Sequence, residues 1–287
     1  MVIDVDKCVG CYNCFLTCRD EYAGNAYPGY SSPQPMSGMN WMKVNEIERG
    51  QYPHVKVDHV PVTCAHCDSA ACVKLDQTGA IYRRADGIVL IDPEKAKGNK
   101  GLVGLCPYRQ IEWNEELELA QKCTMCAHLL DKGDPEPRCV ESCPSGALVF
   151  GDLDDPASAV SKLVASGTEV IHPEYAMGET VTYRNLPKKF VAGTVIYGDV
   201  DEVAIGIDVV LSGGGLEQAV TTNGFGDFEF DGLPDNVAFT VDIKADGYGS
   251  QSVKVKTSKD VYVGEIVLSK VGAGVGQTSA EEVVVGR

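Results

Sequence analysis

The side chains best suited to bind metal are twelve cysteines, all between Cys8 and Cys143 of a 287-residue chain. The first four lie within eleven residues as Cys8-x2-Cys11-x2-Cys14-x3-Cys18. In that spacing three thiolates hold three corners of one [4Fe–4S] cube, and the two-residue gaps close a tight loop that aims backbone N–H groups at its sulfurs. The fourth thiolate starts a helix and points at a different cube. A second group, Cys64-x2-Cys67-x4-Cys72, is followed much later by Cys106-Pro107. The third is Cys123-x2-Cys126-x12-Cys139-x3-Cys143-Pro144, and a proline after the last ligand belongs to the same pattern. Twelve thiolates divide into three cubes of four with none left over. Structural zinc wants four thiolates converging on one point, and disulfides want an oxidising compartment, so both read as weaker alternatives.

The elements that must position these thiols fall into zones. Residues 1–150 carry the cysteines, interrupted by short apolar strand-like runs such as Gly87–Ile91 and Ala147–Phe150. In 151–190, Asp155-Pro156 supplies a helix N-cap and first-turn proline, Val160, Leu163 and Val164 form an apolar face, and Gly167 ends the helix. Thr180–Phe190 reads as an extended connecting arm. Residues 191–270 show short alternating runs (191–197, 203–211, 219–222, 227–230, 239–245, 252–256 and 261–268) separated by turn residues, the pattern of a small antiparallel sandwich. At Asn223-Gly224 the turn is expected to need a positive φ. The tail 271–287 has no clear period. The formal charge, 25 − 41 = −16, argues against nucleic acid and anionic membrane surfaces. No apolar run approaches the length of a membrane span, and the opening MVIDVDKC shows no basic stretch before an apolar one, so a cytoplasmic protein without a signal is expected.

Residues 1–190 resemble the iron–sulfur electron-transfer subunits that accompany molybdopterin enzymes of the dimethyl-sulfoxide-reductase family. The resemblance is carried by Cys64-Ala-His-Cys67, Asp86-Gly-Ile-Val-Leu-Ile-Asp-Pro-Glu-Lys95, Cys106-Pro-Tyr108 and Gln121-Lys-Cys-Thr-Met-Cys-Ala-His128. It implies an α+β fold: a pseudo-repeated, bacterial ferredoxin-like multi-cluster domain, 1–150, with a helix and arm over 151–190. In those subunits four motifs hold four cubes by crossed pairing, the first motif with the last and the second with the third. Carried onto this chain, one cube takes Cys8, Cys11, Cys14 and Cys143. A second takes Cys18, Cys123, Cys126 and Cys139, and a third takes Cys64, Cys67, Cys72 and Cys106. Asp76, Ala96, Asn99 and Leu102 stand where the four ligands of the remaining cube would be. The resemblance thus implies clean loss of one cluster, the one distant from the molybdenum that in relatives serves a membrane partner.

The residues 191–270 resemble transthyretin-like, Ig-like or carboxypeptidase-regulatory-like sandwiches through Thr222-Asn-Gly-Phe-Gly-Asp-Phe228 and Ala245-Asp-Gly-Tyr248. Three cubes, the missing distal one and this appended sandwich together resemble the small subunits of molybdenum transhydroxylases. The implied role is non-catalytic one-electron transfer in a heterodimer, or a higher assembly of it, under anaerobic conditions. The large partner would carry molybdenum with two molybdopterin guanine dinucleotides and move hydroxyl groups between polyhydroxylated benzenes. Two other readings stay open: the electron-transfer subunit of another soluble molybdopterin reductase such as a catechol dehydroxylase, and a docking module in which the clusters are structural.

Smaller signals receive plainer readings. His66 and His128 read as packed or surface histidines in preference to groups tuning a cluster, and Trp41, Trp113, Tyr82 and Tyr108 as core packing. The loop Tyr27–Asn40 is either a partner contact or a solvated excursion, and the acidic run Glu112–Glu118 a solvated face. Gly213-Gly-Gly215 is a turn.

Overall fold

Loops that must wrap thiols around a cofactor cannot also run long ladders, and the cysteine-bearing part of the chain is built from short pieces. The computed structural model describes residues 1–271, so all of the expected tail except Val271 lies outside the described residues. One compact unit comprises Met1–Ile47 and Asp58–Leu186; the other takes Glu48–Val57 together with the described residues from Pro187 on. The tip of the hairpin formed by Lys43–Gln51 and His54–Val62 is therefore counted with the second unit.

In the first unit the longest helix is Asn13–Tyr22. Its buried residues are Cys14, Cys18 and Tyr22, spaced by four so that they share one face. Cys18 thus sits inside the helix and does not open it: Tyr12, in the left-handed conformation, is the N-cap. A three-stranded sheet has Val2–Asp4 at its centre, antiparallel to Leu148–Val149 and parallel to Thr182–Arg184. The expected arm therefore contributes a strand, and the Met1 ammonium donates to the Thr180 carbonyl at 2.9 Å. Two-stranded hairpins pair Ile81–Arg83 with Val89–Ile91, and Glu112–Asn114 with Leu119–Gln121. The helix Ala159–Ala165 begins later than expected. Ser158 is its N-cap, accepting from the Ser161 N–H, whereas Asp155 caps only the preceding turn through the Ala157 N–H at 2.8 Å. Two apolar cores result, one around the first helix with Trp41, Met39 and Ile3, the other around Ile81, Val89, Leu102 and Ile111.

The loop 27–40 is no solvated excursion. Arg19 donates to the Gln34 side chain at 2.8 Å and to the Pro35 carbonyl at 3.0 Å, Gln121 donates to the Ser32 carbonyl at 2.7 Å, and Met39 is buried. The acidic run likewise folds into a hairpin, with Asn114 buried and Glu112 paired to Lys43 at 2.7 Å.

The second unit holds two four-stranded sheets. In one, Lys189–Tyr197 pairs with Glu202–Val203, Asp227–Leu233 and Val261–Leu268; in the other the order is Leu216–Thr221, Asp208–Gly213, Ala238–Lys244, Gln251–Lys256. Alternation puts Phe228, Phe230, Phe239, Val241 and Ile243 into one shared core. The pairing of Lys189–Tyr197 with Val261–Leu268 is parallel, so the unit is not wholly antiparallel as expected: the last strand returns beside the first. At the 223–227 turn the positive φ belongs to Gly226 (+77°), not Gly224; Asn223 instead accepts the Phe225 and Asp227 N–H groups on its side chain. A Cβ on Gly226 would lie 2.6 Å from the Val195 carbonyl oxygen. The hairpin tip adds charge pairs to this unit, with Lys56 2.7 Å from Glu229 and Arg49 3.1 Å from Asp260.

Candidate metal centre

All twelve cysteines are free thiols, and charge interactions and one cavity show which of them are neighbours. Around Cys14, burial pushes the thiol up to about 11, and the charges of Cys8, Cys143 and Cys11 push the same way. Residues at the two ends of the cysteine region thus face one another. Burial raises the Cys8 thiol, the Gly10 N–H opposing it. Gly10 is required there: its φ is +64°, and a Cβ would meet the His59 ring at 2.4 Å. Burial also acts to raise Cys143, yet its thiol is net lowered by N–H groups of Leu148, Ala147 and Ser145 and by the Ser145 hydroxyl.

A second gathering lies deeper. Cys139 is held well above its ordinary value by burial, then by the charges of Cys126, Cys123 and Cys18. Cys18 in turn is raised by burial, then by Cys123 and Cys126. The Met125 N–H donates to the Cys123 sulfur at 3.3 Å, a geometry that the left-handed Met125 and Cys126 allow. Two neighbours that no spacing argument flagged also face these sulfurs. The Tyr22 hydroxyl bonds the Thr124 hydroxyl at 2.7 Å and acts to lower the Cys126 thiol against burial, and the Thr63 hydroxyl acts likewise on Cys123. Tyr22 is legible in the sequence only as the third member of the 14, 18, 22 face.

The third gathering lines a narrow cavity of about 20 Å³, with Cys64, Cys67, Cys72 and Cys106 joined by Val89, Tyr108 and Met177 among its walls. Burial, then the charge of Cys64, pushes Cys67 up to about 12. The Gln110 N–H reaches the Cys106 sulfur at 3.5 Å. Tyr108 lines this cavity and bonds Glu179, and Tyr82 is 37 % exposed, so neither is the simple core aromatic expected. Trp41 is a core residue, 4.5 Å from the Tyr22 ring. His128 is packed as expected, stacked on Tyr27 and 2.8 Å from Glu21. His66 is 1 % exposed; its Nδ1 accepts the Val89 N–H at 3.1 Å, and its Nε2 has no partner.

The gatherings also touch one another in sequence. The Cys14 charge acts on Cys18 and Cys139, and the Cys64 charge on Cys123. The first therefore neighbours the second, and the second the third. At the positions expected to have lost ligands, Asp76 caps a turn by accepting from the Thr78 and Ile81 N–H groups, and Ala96 and Leu102 fill the second apolar core. Asn99 begins the short 3-10 helix Lys100–Leu105.

This donor set suits iron–sulfur clusters. Buried thiols pushed up in pKa stay protonated unless a metal takes the proton's place, and N–H groups aimed at sulfur are the hydrogen bonds that clusters use. Among the described residues no three His, Cys, Asp or Glu side chains converge as ligands of a single ion, which a zinc site requires.

Comparison with known proteins agrees with this chemistry. A family model described as a 4Fe-4S dicluster domain matches residues 55–153. The pyrogallol hydroxytransferase small subunit of Pelobacter acidigallici is 46% identical over 277 residues, covering 93% of this chain and 98% of the relative. The arsenate respiratory reductase iron-sulfur subunit of Shewanella sp. (strain ANA-3) is 32% identical, covering 64% of this chain and 94% of the relative. Protein NrfC of Escherichia coli (strain K12) is 36% identical, covering 57% of this chain and 70% of the relative.

Proposed function

The chain belongs to the family of the pyrogallol hydroxytransferase small subunit and is an iron–sulfur electron-transfer protein, and from that premise we propose that it serves a large molybdopterin subunit that moves hydroxyl groups between pyrogallol and phloroglucinol. The observation that carries the reading is the 46% match over 93% of this chain and 98% of the relative. The arsenate-reductase relative is covered almost whole yet reaches only 64% of this chain, which supports treating the appended β unit as a feature of the transhydroxylase branch.

In this reading Cys8, Cys11, Cys14 and Cys143 hold one [4Fe–4S] cluster. Cys18, Cys123, Cys126 and Cys139 hold the next, and Cys64, Cys67, Cys72 and Cys106 the third. When bound, such clusters supply one-electron transfer, with potentials set by ligation, N–H···S bonds and burial. The chain's own residues do the rest: N–H donors at Met125 and Gln110 orient toward sulfur, and the apolar cores exclude water. The row of gatherings supports a wire with three stations, and the apolar filling at positions 96 and 102 supports a fourth having been lost. The partner would carry the molybdenum and two molybdopterin guanine dinucleotides, so that catalysis lies outside this chain. A heterodimer in the cytoplasm follows from the resemblance; no helix among the described residues is long and apolar enough to cross a membrane. The β unit, read as a transthyretin-like sandwich, is assigned a docking or spacer role.

The test is the anaerobically purified complex with pyrogallol. Sustained turnover without added reductant, once primed, supports hydroxyl transfer, whereas stoichiometric consumption of electrons from reduced viologen supports the alternative of a reductase. Iron analysis should give about twelve atoms per chain, falling by about four in Cys67→Ala.

A further inference from the structure

Two buried polar side chains beside the third gathering are incompletely matched inside the protein, His66 lacking an acceptor for Nε2 and Lys122 lacking a countercharge, and Val89 holds them both. His66 lies between Cys64 and Cys67 in left-handed backbone (φ 44°), which turns its ring into the interior. Because Val89 donates its N–H to Nδ1, the neutral ring carries its proton on Nε2, and that N–H faces no acceptor. A buried donor without an acceptor is unfavourable and calls for one. His66 lines the same cavity as the four thiols, so the acceptor available there is sulfur.

Lys122 is the other. It is 3 % exposed, and its ammonium donates to the Val89 carbonyl and, at 3.0 Å, to the Cys123 carbonyl. No carboxylate lies within ion-pair distance of it among the described residues. An ammonium held in the interior without a countercharge is costly, and the thiols its charge reaches are Cys72, Cys106 and Cys123, beside the His66 ring.

We propose that His66 and Lys122 set the potential of the cluster held by Cys64, Cys67, Cys72 and Cys106, the Nε2–H donating to a cluster sulfur and the ammonium serving as its countercharge. Reduction adds one electron, passed from the neighbouring cluster of the row, and no proton. A donor and a cation both favour the more negative form, so this cluster is the most easily reduced of the three. It becomes the place where an electron rests while the partner performs a net redox-neutral exchange. The inference rests on the assignment of the four cysteines made above.

The experiment is an EPR-monitored redox titration of the intact anaerobic complex. Lys122→Met and His66→Phe are each expected to lower the potential of the cluster reduced first and to leave that of the Cys8–Cys143 cluster in place. His66→Gln, which keeps an N–H, should shift it less. In the unsubstituted complex labelled with ¹⁵N-histidine, electron–nuclear double resonance should show one histidine nitrogen coupled to the first-reduced cluster. Unmoved potentials at wild-type iron content, or no coupled nitrogen, overturn the proposal. Should a variant lose iron, the coupling in the unsubstituted complex decides. An unsubstituted chain holding well under twelve iron atoms would instead overturn the cluster assignment itself.

Discussion

The two units of this chain solve the folding problem in opposite ways. The β unit, with strands mostly of six to nine residues, fills its interior with Phe228, Phe230, Val241 and Ile243, apolar side chains that alternate with exposed ones. The cysteine unit has strands of two or three residues apart from its hairpin, helices of four to ten, and thiols embedded in its cores. Its turns rely on left-handed residues at Tyr12, His66, Met125 and Cys126, each of which costs conformational energy. One unit is held by its own apolar burial. The other divides its burial between two apolar cores and the arrangement of sulfur, so that what the sulfur binds adds to its stability.

Removing the iron should separate the two units most severely. Anaerobic chelation after oxidation should abolish the cooperative unfolding of the cysteine unit and expose it to protease, a loss on the scale of a whole domain's stability, about 5–15 kcal/mol. The β unit should keep its strand circular dichroism. Simultaneous collapse of both would show that their stabilities are not separate.

The converse change is Phe230→Ala. The ring is 1 % exposed within the β core, and its loss should cost that unit about 3–5 kcal/mol. The visible absorption of the clusters, and the iron content, should stay as they were. Gly226→Ala is expected to be milder, about 1–3 kcal/mol, because the new methyl must move from the Val195 carbonyl at a φ of +77°. Thermal melting followed at the strand signal reads both, and equal stability in Gly226→Ala would mean that the turn relaxes freely.

The smallest effect concerns acid. Arg84, and then the Tyr30 hydroxyl, hold the Asp131 carboxyl down at about 2. A depressed folded-state value means that the pair's contribution is fully present above the unfolded carboxylate range, near 4, and is lost as pH falls through about 2. Both partners are at the surface, so the effect at neutral pH is slight. Asp131→Asn should flatten the dependence of stability on pH between those limits, measured by denaturant titration at stepped pH; an unchanged slope would remove the pair from the acid response.

Legible from sequence is what is local. The β strands follow from alternation that each stretch carries in itself, and Val261–Leu268 has the bounds that its residues suggest. The helix start near 155 is ambiguous in the sequence because Asp155-Pro156 and Ser158 are both competent caps; tertiary packing of Val160 selects the second. Gly224 and Gly226 are equally permissive, and only the approach of the Val195 carbonyl decides which must be glycine. The loop 27–40 reads as a partner contact or a solvated excursion because its anchors, Arg19, Asn114 and Gln121, lie elsewhere in the chain.

The same division holds at the metal centre. The chemistry is written in the sequence alone, because thiol number and spacing are local quantities and a cube's dimensions match gaps of two residues. Which sulfurs from opposite ends of the region face one another, and that Ala96 and Leu102 are core, emerges only when the chain is folded. So does the finding that His66 Nε2 has no acceptor, and the Lys122 ammonium no carboxylate, beside four thiols. Burial and hydrogen-bond satisfaction depend on residues distant in sequence, as Val89 does from both His66 and Lys122, and no spacing within a motif encodes them.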